Sequence, residues 1–218
     1  FYPPLKEYSL DKQNKISFSI IAAAAIINIL KKQRDAIGLT CFDTIINEHT
    51  EAKSNSAHIN HLYQILSQQI NNKASESKET NAAGILHQLA ATLHKRSLII
   101  LFSDMFENML EMDDFFDSLR HLKHNKHEII IFHTHDKKTE LNFDFNYQPK
   151  RFIDLETGEV IKLQPNEVKT AYQKRMNIFE NQLKLKCAQY SIDLISADIN
   201  EGFNQILFPF LNKRKKLY

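Results

Sequence analysis

Residues 97–108 read SLIILFSDMFEN, in which five consecutive apolar residues, Leu98 to Phe102, stop at Ser103 and Asp104. An apolar run of that length, bounded by polar residues, is the pattern of a strand buried on both faces. Such strands belong to parallel sheets covered by helices, and in those sheets ligands bind at the carboxyl ends. Asp104 therefore has two readings. It is a helix cap, with Glu107 three residues on forming something close to a capping box, or it faces a ligand crevice.

The segments on either side alternate between helical and strand patterns. Ile16, Ile20, Ala23, Ile27 and Leu30 recur at helical spacing, and the small run Ala22 to Ala25 lets that helix pack close to a sheet. AIGLTCF (36–42) reads as a strand and TIINEHT (44–50) as its antiparallel neighbour or a loop. Leu62, Leu66 and Ile70 mark a second helix with Ser56 as candidate cap; Ile85, Leu86, Leu89 and Leu93 mark a third with Thr80 as candidate cap. The polar stretch NNKASESKET (71–80) between them reads as a surface loop. Met112, Phe115, Phe116, Leu119 and Leu122 define a helix, EIIIFHT (128–134) another doubly buried strand, and RFIDLETGEVIKL (151–163) a small hairpin around a Glu-Thr-Gly turn. A long helix through Val168 and Cys187, the strand IDLIS (192–196) and a helix through Phe203 and Leu211 complete the chain. The order predicts a single α/β domain over residues 1–218, with a largely parallel central sheet flanked by helices.

Composition narrows the function classes. A net charge of +2 gives no electrostatic case for nucleic acid or an anionic membrane, and the apolar segment Phe18 to Leu30 is shorter than the ~20 residues a membrane span needs. Cys41 and Cys187 stand far apart in apolar contexts and read as reduced thiols of a cytoplasmic protein. Only four glycines occur, none spaced as a phosphate-cradling loop, and there is no nucleophile elbow, paired-His zinc helix or Cys-x-x-Cys.

Four features carry chemistry. Asp104 and Thr80 each stand at the amino end of a helix. If both helices follow neighbouring strands, their oxygens meet above the sheet's carboxyl edge as hard ligands suited to Mg²⁺. Two ligands are too few, so a third element has to contribute. FHTHD (132–136) places His133 and His135 on one strand face with Asp136 beside them, the start of a metal-dependent hydrolase site, whereas His121, His124 and His127 read as a solvated helix end. NKRKK (212–216) reads as a solvated tail or a contact for an acidic partner.

The succession NKISFSIIAAAAIINILKKQRDAIGLTCFD, TNAAGILHQLA, RSLIILFSDMFE, HEIIIFHTHDKKTE and FIDLETGEV resembles the bacterial family known as domain of unknown function 58. Members of that family are similar to von Willebrand factor A domains. The resemblance implies a Rossmann-like sheet with a metal-ion-dependent adhesion site, built from an Asp-x-Ser-x-Ser motif, a Thr from a second loop and an Asp after a later strand. Thr80 and Asp104 match the last two positions. Asp-x-Ser-x-Ser is absent, and in the family it lies just before a segment resembling FYPP. Phe1 is therefore expected to begin after it, in a domain incomplete at its N-terminus and lacking its first, central strand. Backbone groups of the strands beside that gap would be left unpaired, at ~1–3 kcal/mol each where buried. The resemblance further implies a non-enzymatic protein-binding adaptor. Its partner would be a MoxR-class AAA+ ATPase or that ATPase's client, with Mg²⁺ as a possible, weakly held ion. The alternatives are the hydrolase on His133, His135 and Asp136 and a purely structural protein with a degenerate site.

Overall fold

A computed structural model describes residues 14–71, 81–104, 112–145, 150–153 and 160–217. Their elements run α1 (Lys15–Lys32), β1 (Thr40–Phe42), β2 (Ile46–His49), α2 (Ser56–Asn71), α3 (Ala82–Thr92), β3 (Leu98–Ser103), α4 (Met112–His124), β4 (Glu128–His135), β5 (Lys150–Ile153), β6 (Val160–Leu163), α5 (Pro165–Gln189), β7 (Asp193–Asp198) and α6 (Asn204–Leu217). The predicted α/β class holds, with a parallel sheet in the order β3-β4-β7 and the hairpin at β5–β6.

The pleat of β4 explains the layering. Its residues from Ile129 to His135 are all buried, as a central strand with neighbours on both edges requires. Ile129 and Ile131 point to one face, where they join Leu101, Phe115, Phe116, Leu119 and Leu122 with Phe179, Leu183 and Cys187 under α3, α4 and α5. Ile130 and Phe132 point to the other, against Phe18, Ala22 and Ile26 of α1 and Ile206 and Phe210 of α6. Phe102 and Phe132 stack across β3 and β4 with ring centroids 5.1 Å apart.

Helix α1 is apolar on two sides because it is covered twice. Phe18, Ala22 and Ile26 face the sheet, while Ile20 and Ile27 face Ile59, Leu62 and Leu66 of α2 and the isolated bridge residue Ile37. The hairpin β1–β2 forms a separate two-stranded sheet. Gly38, just before it, is required by close approach, since a Cβ there would lie 2.7 Å from the Thr50 carbonyl oxygen. Among the described residues β3 has a strand partner only in β4, and all its residues except Leu101 are half-buried rather than sealed in the core.

Several local readings change. The side chain that accepts from the first turn of α2 is Asn55, which takes the His58 N–H at 2.8 Å, rather than Ser56. The cap of α3 is Asn81, which takes the Gly84 N–H at 3.0 Å, rather than Thr80. His127 is buried rather than solvated, and its Nδ1 accepts from the Ser97 N–H at 3.2 Å. The basic tail is anchored at two of its cations. Lys213 lies 2.9 Å from both Glu128 and Asp193, at the amino ends of β4 and β7. Arg214 donates to Asp35 at 2.5 Å and to Gln33 at 2.7 Å, tying α6 to the end of α1. Both cysteines are free thiols, and burial pushes Cys187 up to about 12.

Because Phe132 is fully buried between the sheet and the α1/α6 layer, Phe132→Ala is expected to lower unfolding free energy by ~3–5 kcal/mol, measured by urea denaturation.

Candidate functional site

The carboxyl edge of the sheet is organised by a lysine. Asn14 caps α1 through a reciprocal box, its side chain accepting from the Ser17 N–H at 2.8 Å while Ser17 Oγ accepts from the Asn14 N–H at 3.0 Å. That box fixes Lys15 as the first helical residue. A cation at a helix N-terminus opposes the helix dipole, so its place there is decided by tertiary partners. Lys15 Nζ lies 3.0 Å from Asp104 Oδ2, just past β3, and 2.9 Å from Glu140 Oε1, in the π-helical turn Lys137–Leu141 after β4. Its side chain is 6% exposed. Burial alone would pull the ammonium pKa down, but attraction to Asp104 and Glu140 outweighs it and the net shift is upward.

Asp104 is held through its backbone as well. Its carbonyl oxygen accepts from His133 Nε2 at 2.9 Å, which fixes the proton of that imidazole on Nε2. His135 Nδ1 donates to the His133 carbonyl at 3.1 Å, and its Nε2 lies 3.4 Å from the Ser196 hydroxyl. The two imidazoles share a strand face as the alternation requires, with centroids 5.1 Å apart, and both are buried. Burial, reinforced by the neighbouring His135, pushes His133 down to about 4; the bond to Asp104 opposes this only partly.

Asp136 has a different task. Its carboxylate accepts from the N–H groups of Lys138 and Thr139 and from the Asn200 side chain, which also donates to Asp198. Glu140 returns to the Asp136 N–H at 3.1 Å. At the end of β7, Gln205 takes the Asp198 N–H at 2.8 Å and donates to the Asp198 carbonyl at 2.7 Å. The ends of β4 and β7 are thereby laced together, and the structure does not assemble His133, His135 and Asp136 into one group. Among the described residues, no set of three or more His, Cys, Asp or Glu side chains could hold a metal ion.

Of the two expected Mg²⁺ ligands, Asp104 stands at the carboxyl edge and Thr80 lies outside the described residues, as does Glu107 of the expected capping box. The donor set seen here does not fit Mg²⁺. The Asp104 carboxylate is already paired with an ammonium, and Mg²⁺ binds through carboxylates at ~2.0–2.1 Å with several waters retained. Sequence reasoning missed Lys15 and Glu140. Lys15 opens a long apolar helix and was not singled out; the Asn14 to Ser17 spacing was the available signal that its position is fixed.

The model of the family described as "Protein of unknown function DUF58" matches residues 4–181, and the chain belongs to that family. No curated protein and no solved structure matches it. No helix among the described residues is long and apolar enough to cross a membrane.

The buried imidazole gives a pH prediction. In the unfolded chain His133 takes up a proton as pH falls below about 6.5, whereas in the folded chain it stays neutral down to about 4, so native stability falls across that window. His133→Gln keeps an N–H donor and removes this titration. Its loss of stability between pH 6.5 and 4, followed by urea denaturation, is expected to be shallower than that of the wild type, with the remaining slope shared by His127, which burial also pulls down. Equal slopes would contradict a buried neutral His133.

Proposed function

We propose that the chain is a protein-binding module of the von Willebrand A type, a non-enzymatic adaptor that works with a MoxR-class AAA+ ATPase or its client. The partner class rests on the family resemblance. The observation that carries the non-catalytic reading is the state of the carboxyl edge, where Lys15, Asp104 and Glu140 are joined in ion pairs and His133 and His135 are buried. Catalytic acids and bases have to reach a substrate proton within hydrogen-bond distance, and these groups are spent on one another and on the backbone. Side chains locked in this way suit a rigid surface that presents loops.

The second reading, a metal-dependent hydrolase, is favoured only by the shared face of His133 and His135. It requires phosphatase or amidase turnover that is lost in His135→Ala.

The test is capture of a purified bacterial MoxR-class ATPase by the immobilised chain, with wild type and Asp104→Ala compared with and without Mg²⁺. Saturable binding that is weakened in Asp104→Ala, in protein still folded by circular dichroism, is the expected result. No binding at roughly 100 μM, a level at which even weak complexes of about −5 kcal/mol populate, would contradict the adaptor reading.

A further inference from the structure

The unusual feature of this edge is where its positive charge comes from. Two carboxylates, from the end of β3 and from the turn after β4, converge on one point about 3 Å from each, and like charges brought together need a cation between them. Here that point is filled from within the chain. The Lys15 side chain is 6% exposed, and the carboxylates that hold it are 22% (Asp104) and 14% (Glu140) exposed. Its backbone is pinned by the Asn14 and Ser17 box, which holds the root of the side chain beside the two carboxylates. Glu140 is fixed through the Asp136 N–H, and Asp104 through His133.

We infer that Lys15 is the resident cation of the carboxyl edge. It does the electrostatic work that a divalent ion does at a hard-oxygen site, cross-linking α1, β3 and the turn after β4. The edge is consequently insensitive to Mg²⁺ while Lys15 is present, and it becomes a divalent-cation site, with Asp104 and Glu140 as carboxylate ligands, when the ammonium is removed. A covalently attached ammonium does not dissociate from the chain, and its hydration, though strong, costs less to shed than that of Mg²⁺, which loses its water reluctantly. Removing Lys15 would leave two facing carboxylates with one missing counter-charge, the arrangement that hard cations select. This inference does not depend on the adaptor reading, because its test involves no partner protein.

The experiment is thermal unfolding of the whole chain, paired with Mg²⁺ titration by calorimetry, for wild type, Lys15→Ala, Lys15→Arg and Asp104→Asn. Wild type is expected to melt within about 1 °C of the same temperature in EDTA and in roughly 10 mM MgCl₂, and to show no saturable Mg²⁺ heat. Lys15→Ala is expected to melt several degrees lower in EDTA and to regain part of that loss in MgCl₂. Lys15→Arg keeps the charge and should remain indifferent to Mg²⁺. A wild-type midpoint that rises saturably with Mg²⁺, a rise lost in Asp104→Asn, would overturn the inference. So would a folded Lys15→Ala that is equally destabilised in both buffers. If Lys15→Ala does not fold in EDTA, folding of the same variant in MgCl₂ supports the exchange, and failure in both buffers overturns it.

Discussion

The Lys15 ammonium between Asp104 and Glu140 is the contact on which the arrangement of the sheet's carboxyl edge depends. It connects residues 89 positions apart in sequence, and it does so from the first residue of the helix that packs between the sheet and α2. Removing one partner of a buried ion pair leaves an uncompensated charge, which costs more than the net value of the intact pair. Here the consequence reaches far, because α1 is covered on two faces. One stripe of it covers Ile130 and Phe132 of the sheet and the other covers Ile59, Leu62 and Leu66 of α2. A shift at its first turn would disturb both layers.

Around that contact the ends of the three parallel strands are finished in different ways. β3 ends in Asp104, whose side chain goes to Lys15 and whose carbonyl takes the His133 proton. β4 ends in two buried imidazoles and a π-helical turn closed by Asp136 and Glu140. β7 ends in Asp198, held by Gln205 and Asn200. The carboxylates, imidazoles and amides at these strand ends thus satisfy the backbone and one another, which buried polar groups require. The amino ends of β4 and β7 are tied by Lys213.

Much of the architecture was legible because it rests on local periodicity. The apolar runs at 98–102 and 128–134 marked β3 and β4, of which only β4 is buried throughout from Ile129 on, and the helical spacing of Ile85, Leu86 and Leu89 marked α3. The antiparallel pairing of β5 with β6 followed from alternation, with the Glu-Thr-Gly turn itself outside the described residues, and the pairing of β1 with β2 was one of two readings open for 44–50. The site was less legible because its partners are set by long-range packing. Lys15 and Glu140 have no pattern in sequence that joins them, and Arg214 meets Asp35 across 179 residues. Cap positions slipped by one residue at Asn55 and Asn81, where a neighbouring Ser or Thr is an equally good cap by type. His127 looked solvated because a His next to charged residues carries no mark of the Ser97 N–H that meets it in the fold.

The central claim is that Lys15 and Asp104 act as one unit, and a double-mutant cycle measures that coupling directly. Lys15→Met, Asp104→Asn and the double variant are compared with wild type by urea denaturation at pH 7. If the ion pair organises the edge, the double variant loses less stability than the single losses summed, with a coupling of ~1–3 kcal/mol. Single losses that add to within about 0.3 kcal/mol would contradict it, since independent sites add.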